Sequence, residues 1–103
     1  MKKKPPKLPD ETTKPSPREI LMESQFLEDL QFWIEIDRKL ALRIMELVKE
    51  IRRDPFNGIG KPERLKYFKD NTWSRRINDE HRLVYGMESN RIRLKSARFH
   101  YDE

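Results

Sequence analysis

Residues 73–99 read WSRRINDEHRLVYGMESNRIRLKSARF, and this stretch decides the predicted fold. WSRRI, RLVYGM and IRLKSARF are short runs rich in β-forming residues, and the segments NDEH and ESN between them are rich in turn-forming residues. Strands joined by such short turns form an antiparallel meander. LKYF, at residues 65–68, is predicted to add one more strand in front of the three.

The helices are predicted in the segment before the meander. Ser24 is placed to cap a first helix and Asp37 a second, and each is followed by apolar residues at helical spacing. The second helix ends at Asp54, because a residue before proline avoids helical geometry. REILM, at residues 18–22, is predicted as a strand. The sequence therefore predicts an α+β fold with two N-terminal helices packed on one face of a mainly antiparallel, twisted sheet of about five strands.

The first seventeen residues differ in composition from the rest. Residues 1–17 hold five of the seven prolines and almost nothing apolar, which predicts a flexible basic arm followed by a single domain over residues 18–103. The arm contains a Pro-x-x-Pro spacing, but a plain solvated tail is favoured over a docking segment. The chain has no cysteine and no apolar run of membrane-spanning length, which fits a cytoplasmic protein that does not contact membranes.

The net charge of +5 is unevenly distributed. Residues 19–51 hold eight acids against four Lys or Arg, whereas residues 52–101 hold thirteen Lys or Arg against six acids. The cationic surface that can meet a polyanion is therefore predicted in the second half of the chain, and the helical half is predicted to be scaffold.

Strand alternation divides the second half into a core set and an outward set. Leu83, Tyr85, Ile92 and Leu94 form the core set. A cationic surface with aromatic rings suits RNA, whose phosphates need neutralising and whose bases stack on rings. The outward set consists of Glu63, Lys66, Arg75, Arg76, Arg82, Arg98, His100 and Tyr101, of which Lys66, Arg75, Arg76 and Arg98 are the predicted RNA contacts.

This inventory fits cleavage of RNA by its own 2′-hydroxyl without a metal. Glu63 is the candidate base that takes the 2′ proton, and His100 the candidate acid that protonates the departing 5′ oxygen. Arg82 and Arg76 can stabilise the phosphate charge through their forked guanidinium groups. The two histidines and scattered carboxylates show no ligand spacing, so neither a metal nor another cofactor is predicted.

Each of these residues also has a plain structural interpretation. A histidine or tyrosine in a terminal strand is usually a surface residue, and Glu63 fits a solvated loop acid equally well. His81 is predicted to lie in a turn and is assigned no role. Arg75 and Arg76 fit a pair of solvated surface side chains. Trp33 and Trp73 fit core or helix–sheet contacts. The residues alone therefore indicate a small α+β domain whose open face suits RNA.

Several separate motifs occur together in this chain. They are RRDPFNGIGKPERLK, then WSRRINDEHRLVYGM, then SARFHY. In their order and spacing the chain resembles the YoeB/Txe branch of the RelE-like toxins, proteins of type II toxin–antitoxin systems that cleave messenger RNA on the ribosome. The resemblance covers roughly residues 19–101 and implies a fold similar to the small microbial ribonucleases.

The resemblance also implies roles for individual residues. The general base of the family corresponds to Glu63, its phosphate-stabilising arginine to Arg82, its general acid to His100 and the adjacent tyrosine to Tyr101. Lys66 and Arg76 correspond to basic residues lining the site. The partners implied are a YefM-type antitoxin, the ribosome with its mRNA, operator DNA bound through the antitoxin complex, and a second copy of the toxin.

Two features depart from the family pattern, and one alternative function stays open. The arm before residue 18 is longer than usual, and Asp102 and Glu103 extend past the closing tyrosine. The alternative is a non-catalytic protein that binds RNA or the ribosome, or that acts as a transcriptional co-repressor with an antitoxin.

Overall fold

The computed structural model describes residues 18–99. The predicted arm at residues 1–17 and the residues 100–103 lie outside this range. The order of elements is the predicted one, a strand followed by two helices and four strands. The elements are β1 (Glu19–Met22), α1 (Ser24–Ile36), α2 (Arg38–Arg53), β2 (Glu63–Arg64), β3 (Thr72–Arg76), β4 (Arg82–Glu88) and β5 (Arg91–Ser96).

The five strands form one sheet in the order β1-β5-β4-β3-β2. β1 runs parallel to β5, and the other neighbouring pairs are antiparallel. β1 and β2 are therefore the two edge strands, and the chain passes from one edge to the other through the helices. This arrangement confirms the predicted α+β fold with two helices on a mainly antiparallel sheet.

A single residue, Asp37, separates the two helices. Its backbone N–H donates to the carbonyl of Trp33 at 2.8 Å and closes α1. Its carboxylate accepts from the N–H of Leu40 at 3.3 Å and begins α2, which confirms the predicted cap. The prediction that Ser24 caps α1 is wrong: the helix begins one residue earlier than expected, and Glu23 occupies the cap position without a side-chain hydrogen bond.

The core lies between the helices and one face of the sheet. The predicted core set of the strands is confirmed, because all four side chains are at most 1% exposed and pack together with those of the helices. Their helical partners are Phe26 and Trp33 from α1, and Ala41, Ile44, Leu47 and Ile51 from α2. The interpretation of Trp33 as a core residue is therefore confirmed.

The prediction of a strand at residues 65–68 is wrong. The strand at this edge is β2, Glu63–Arg64, and the chain turns immediately after it. The N–H of Leu65 donates to the carbonyl of Thr72 at 2.8 Å, so the chain must reverse direction between these two residues. Phe68 donates back to the carbonyl of Leu65 at 3.3 Å within that turn. The need to reverse direction overrides the β propensity of the aromatic residues.

Candidate functional site

Strand register brings three predicted site residues to one face of the sheet. Glu63 pairs with Ser74, and Arg76 pairs with Arg82. Because side chains alternate between faces, Glu63, Arg76 and Arg82 share the face opposite to the core. Directly opposed Cβ atoms in such a pair lie about 4.5–5.5 Å apart and diagonal neighbours about 7–8 Å. One acidic and two basic residues therefore lie on the same end of the open face.

The loop before β2 sets the position of Glu63. Gly60 has a φ of +85°, and a Cβ there would lie 3.0 Å from both the Arg75 Cβ and the Leu47 Cδ2. Its carbonyl accepts from the N–H of Arg76 at 2.7 Å. Only glycine fits this close crossing over β3 without strain. The crossing delivers Glu63, whose side chain is exposed, to the edge of the sheet.

Arg75 does not belong to the outward set, and that prediction is wrong. Its side chain is 0% exposed and lies on the core side of the sheet. Its guanidinium donates to the carbonyls of Asp54 at 2.6 Å, Asn57 at 3.0 Å and Ile59 at 3.1 Å. These carbonyls replace the hydrogen bonds to water that the guanidinium loses when it is buried. Arg75 therefore holds the loop over residues 54–59 in place and is not retained as an RNA contact.

Tyr85 completes the surroundings of Arg75. The Arg75 Nε donates to its phenol oxygen at 3.2 Å, and that hydroxyl donates to the carbonyl of Pro55 at 2.6 Å. Burial raises the pKa of the Tyr85 phenol, and the hydrogen bond from Arg75 opposes that rise. The phenol stays protonated at neutral pH and continues to donate to the loop.

Arg82 is fixed at the start of β4 by the turn that precedes it. Its Nη1 donates to the carbonyls of Asn78 at 2.8 Å, His81 at 3.2 Å and Asp79 at 3.3 Å. Among residues 18–99, all hydrogen bonds of this guanidinium go through Nη1. The other N–H groups of the guanidinium therefore make no hydrogen bond to residues 18–99. The bonds through Nη1 fix the orientation of the guanidinium.

The cations of the open face differ in their ion pairs. Three cations on β5 have acidic partners: Lys95 contacts Asp70 at 2.8 Å, and Arg91 and Arg93 contact acids on β1, β4 and the residue after β1. The bond from Lys95 lowers the pKa of Asp70, and a hydrogen bond from Thr72 adds to it. Within residues 18–99, neither Arg76 nor Arg82 has a carboxylate within 4.0 Å. The uncompensated positive charge therefore lies at the end of the face that carries Glu63.

Two further predicted RNA contacts occupy different settings. Lys66 is exposed in the turn that follows β2. The guanidinium of Arg98 lies 3.6 Å from the ring centroid of Phe32 and 4.8 Å from that of Phe99. Arg98 is thus half-buried against α1 by cation–π contacts and is less free to move than a solvated arginine.

Trp73, predicted as a core or helix–sheet contact, is half-buried and packs against the core.

The backbone of residues 97–99 is held from both sides. Ala97 donates its N–H to Asp29 Oδ2 at 2.8 Å, and its carbonyl accepts from Trp33 Nε1 at 2.8 Å. Phe99 donates its N–H to His81 Nδ1 at 2.7 Å, and its carbonyl accepts from the N–H of Arg82 at 2.8 Å. Sequence reasoning missed this use of His81, because no local motif indicates a partner 18 residues away.

His100 and Tyr101, the predicted acid and its neighbour, lie outside the described residues. Over residues 18–99, no group of three or more acidic or histidine side chains is arranged to hold a metal ion. In the same part of the chain no helix is both long and apolar enough to span a membrane.

Comparison with known families identifies the chain. Residues 22–101 match the model of the YoeB-like toxin of bacterial type II toxin–antitoxin systems. The chain belongs to this family. Toxin YoeB of Mycobacterium bovis is 54% identical over 74 residues, which are 72% of this chain and 87% of that protein. The fold and the motifs quoted above therefore belong to a toxin of a type II toxin–antitoxin system.

Solved structures agree with this assignment. The YoeB dimer from Staphylococcus aureus superposes with a TM-score of 0.75 at 41% identity, covering 84% of this toxin and all of that chain. The heterotetrameric YoeB–YefM complex from that organism superposes with a TM-score of 0.72 at 41% identity, covering 84% of this toxin and 100% of that chain. The archaeal RelE–RelB complex from Pyrococcus horikoshii, at 15% identity and a TM-score of 0.66, shares the fold over 82% of this toxin and 96% of that chain. The predicted RelE-like architecture is confirmed.

Proposed function

We propose that the toxin is a ribosome-dependent endoribonuclease that cleaves messenger RNA in the ribosomal A site and so inhibits translation. The observation that carries the proposal is the grouping of Glu63 with Arg76 and Arg82 on one face of the sheet. Within residues 18–99 neither arginine has a carboxylate within 4.0 Å. Membership of the YoeB-like toxins supports the same activity. A protein acting on ribosomes works in the cytoplasm.

The proposed reaction transfers an RNA phosphodiester to its own 2′-hydroxyl. Glu63 takes the proton of that hydroxyl, and the 2′ oxygen forms a bond to phosphorus. The bond from phosphorus to the 5′ oxygen breaks, and His100 protonates the departing oxygen. The upstream fragment ends in a 2′,3′-cyclic phosphate and the downstream fragment in a 5′-hydroxyl. Each proton transfer by a positioned side chain contributes typically about 10²–10⁴-fold to the rate.

The arginines act on the charge that develops at phosphorus. A guanidinium binds two phosphate oxygens through parallel N–H groups, and this interaction strengthens as the charge on those oxygens grows. Arg82 is the proposed central donor, because the turn before β4 already fixes its orientation. Lys66, Arg76 and Arg98 are the proposed contacts to flanking RNA phosphates, and Tyr101 acts beside His100.

We further infer the partners from the relatives. A YoeB dimer and a YoeB–YefM complex are known from Staphylococcus aureus. By analogy, the toxin forms a homodimer and is neutralised by a YefM-type antitoxin whose acidic segment folds over the basic open face. Operator DNA is contacted through the antitoxin complex.

The test is cleavage of one mRNA by purified, antitoxin-free toxin, with the mRNA either naked or loaded on ribosomes. Wild type is expected to cut only the loaded mRNA, and Glu63→Ala and His100→Gln are expected to lose about 10²-fold or more in kcat, because each removes a proton-transfer group. Glu46→Ala is the matched control, since Glu46 is an exposed acid on α2 whose one ion pair within residues 18–99 is with Arg43.

Binding to ribosomes separates the proposal from the non-catalytic alternative. His100→Gln is expected to bind ribosomes as wild type does while cutting poorly. If well-folded wild type and His100→Gln both bind and neither cuts, the toxin is a binding protein and the ribonuclease assignment fails.

A further inference from the structure

The inference concerns how the chain is held just before His100. Phe99 has a φ of +66°, a left-handed conformation that non-glycine residues seldom adopt. Such a conformation is strained for a residue with a Cβ and persists only where surrounding contacts enforce it. Two backbone hydrogen bonds hold Phe99 in this conformation together with its ring contacts: its N–H donates to His81 Nδ1, and its carbonyl accepts from the N–H of Arg82.

His81 makes the contact through one particular tautomer. A ring nitrogen that accepts a hydrogen bond carries no proton, so the neutral ring holds its proton on Nε2. The ring is well placed for this role, because its side chain is only 13% exposed. Its centroid lies 4.7 Å from that of Trp33, at an interplanar angle of 69°. The packing limits rotation of the imidazole and keeps Nδ1 directed at the N–H of Phe99.

The contact lies between two parts of the proposed site. His81 directly precedes Arg82, and Phe99 directly precedes His100. The Phe99 carbonyl, held by the N–H of Arg82, belongs to the same planar peptide group as the His100 nitrogen. The two hydrogen bonds therefore tie the chain leading into His100 to the start of the strand that carries Arg82.

We propose that His81 is a positioning residue for the general acid His100, a role that rests on the proposed ribonuclease function. By accepting the Phe99 N–H, His81 sets the direction in which the chain enters His100 relative to the guanidinium of Arg82. It takes no part in proton transfer. Misplacement of a catalytic group by about 1 Å can cost about 10²-fold in rate, so the hydrogen bond should affect kcat rather than KM.

The test compares His81→Asn with His81→Leu. Both substitutions remove the imidazole ring that packs against Trp33. The Asn and Leu side chains that replace it have nearly the same shape. They differ in that the Asn Oδ1 occupies the position of Nδ1 and can accept the Phe99 N–H. We expect His81→Leu to lower kcat about 10- to 100-fold on ribosome-loaded mRNA with KM within about twofold of wild type, and His81→Asn to retain most of kcat.

A second measurement reports on the hydrogen bond between Phe99 and His81 independently of cleavage activity. Amide hydrogen exchange at Phe99 should be slow in wild type and His81→Asn and clearly faster in His81→Leu. His81→Gln, which moves the acceptor one bond further from the backbone, should behave like His81→Leu. It replaces the Leu variant if that protein does not fold.

The outcomes are distinct. Wild-type kcat in a well-folded His81→Leu or His81→Gln protein overturns the inference. Equal losses in the Asn and Leu variants also overturn it, since they assign the effect to ring packing. If wild type itself leaves loaded mRNA intact, the proposed function fails and the positioning role fails with it, while the exchange rate still reports whether His81 holds Phe99.

Discussion

Arg75→Met is expected to lower the free energy of unfolding by about 3 kcal/mol, which corresponds to a fall in Tm of roughly 12–24 °C for a domain of this size. The substitution removes the donors for three loop carbonyls and for the phenol oxygen of Tyr85. Water can reach part of the loop, so the loss is smaller than the sum of four charge-assisted hydrogen bonds. Thermal unfolding followed by circular dichroism measures the change.

The matched control is the neighbouring residue on the same strand. Arg76 is exposed, and Arg76→Met should change the free energy of unfolding by no more than about 0.5 kcal/mol. Equal small shifts in the two variants would contradict the buried position of Arg75. Equal large shifts would mean that both arginines stabilise the fold and that Arg76 is not available to RNA.

Arg82→Gln is expected to lower kcat on ribosome-loaded mRNA by about 10²–10³-fold, the range typical for loss of one preorganised donor to a developing charge. Arg82→Lys should retain part of kcat, because it keeps a positive charge but loses the fork that binds two oxygens. Ribosome binding should weaken much less than kcat. Single-turnover cleavage at saturating toxin separates the two quantities.

Arg91→Gln is the matched control for Arg82. Arg91 lies on the same face of the sheet, but its guanidinium is already paired with Glu19 and Glu88. Its kcat should stay near that of wild type. Similar losses in Arg82→Gln and Arg91→Gln would indicate general electrostatic attraction of RNA and not a specific contact to the reacting phosphate.

The fold could be predicted from the sequence because its signals are local. The turns NDEH and ESN, the cap at Asp37 and the proline after Asp54 each act over a few residues, and the strand alternation identified the buried set. The errors were also local. Turn formation after β2 replaced a strand at residues 65–68, and α1 needed no side-chain cap at Ser24.

The candidate site could be predicted only in part, because its geometry depends on distant contacts. Strand alternation by itself places Arg75 and Arg76 on opposite faces, but both were predicted to face outward because both are charged. A buried arginine needs partners for its guanidinium. The partners are loop carbonyls 16 to 21 residues away. Their positions depend on Gly60 crossing over β3, which the sequence alone does not reveal.

The most direct test of the central claim uses an mRNA with a single 2′-deoxynucleotide at the cleaved position in the A site of a loaded ribosome. Attack by the 2′-hydroxyl requires that oxygen. We predict that wild-type toxin leaves the substituted mRNA intact and cuts the unsubstituted one to a 2′,3′-cyclic phosphate and a 5′-hydroxyl. Cleavage of the substituted mRNA at the same position, or products ending in a 3′-hydroxyl and a 5′-phosphate, would contradict the proposed roles of Glu63, Arg82 and His100.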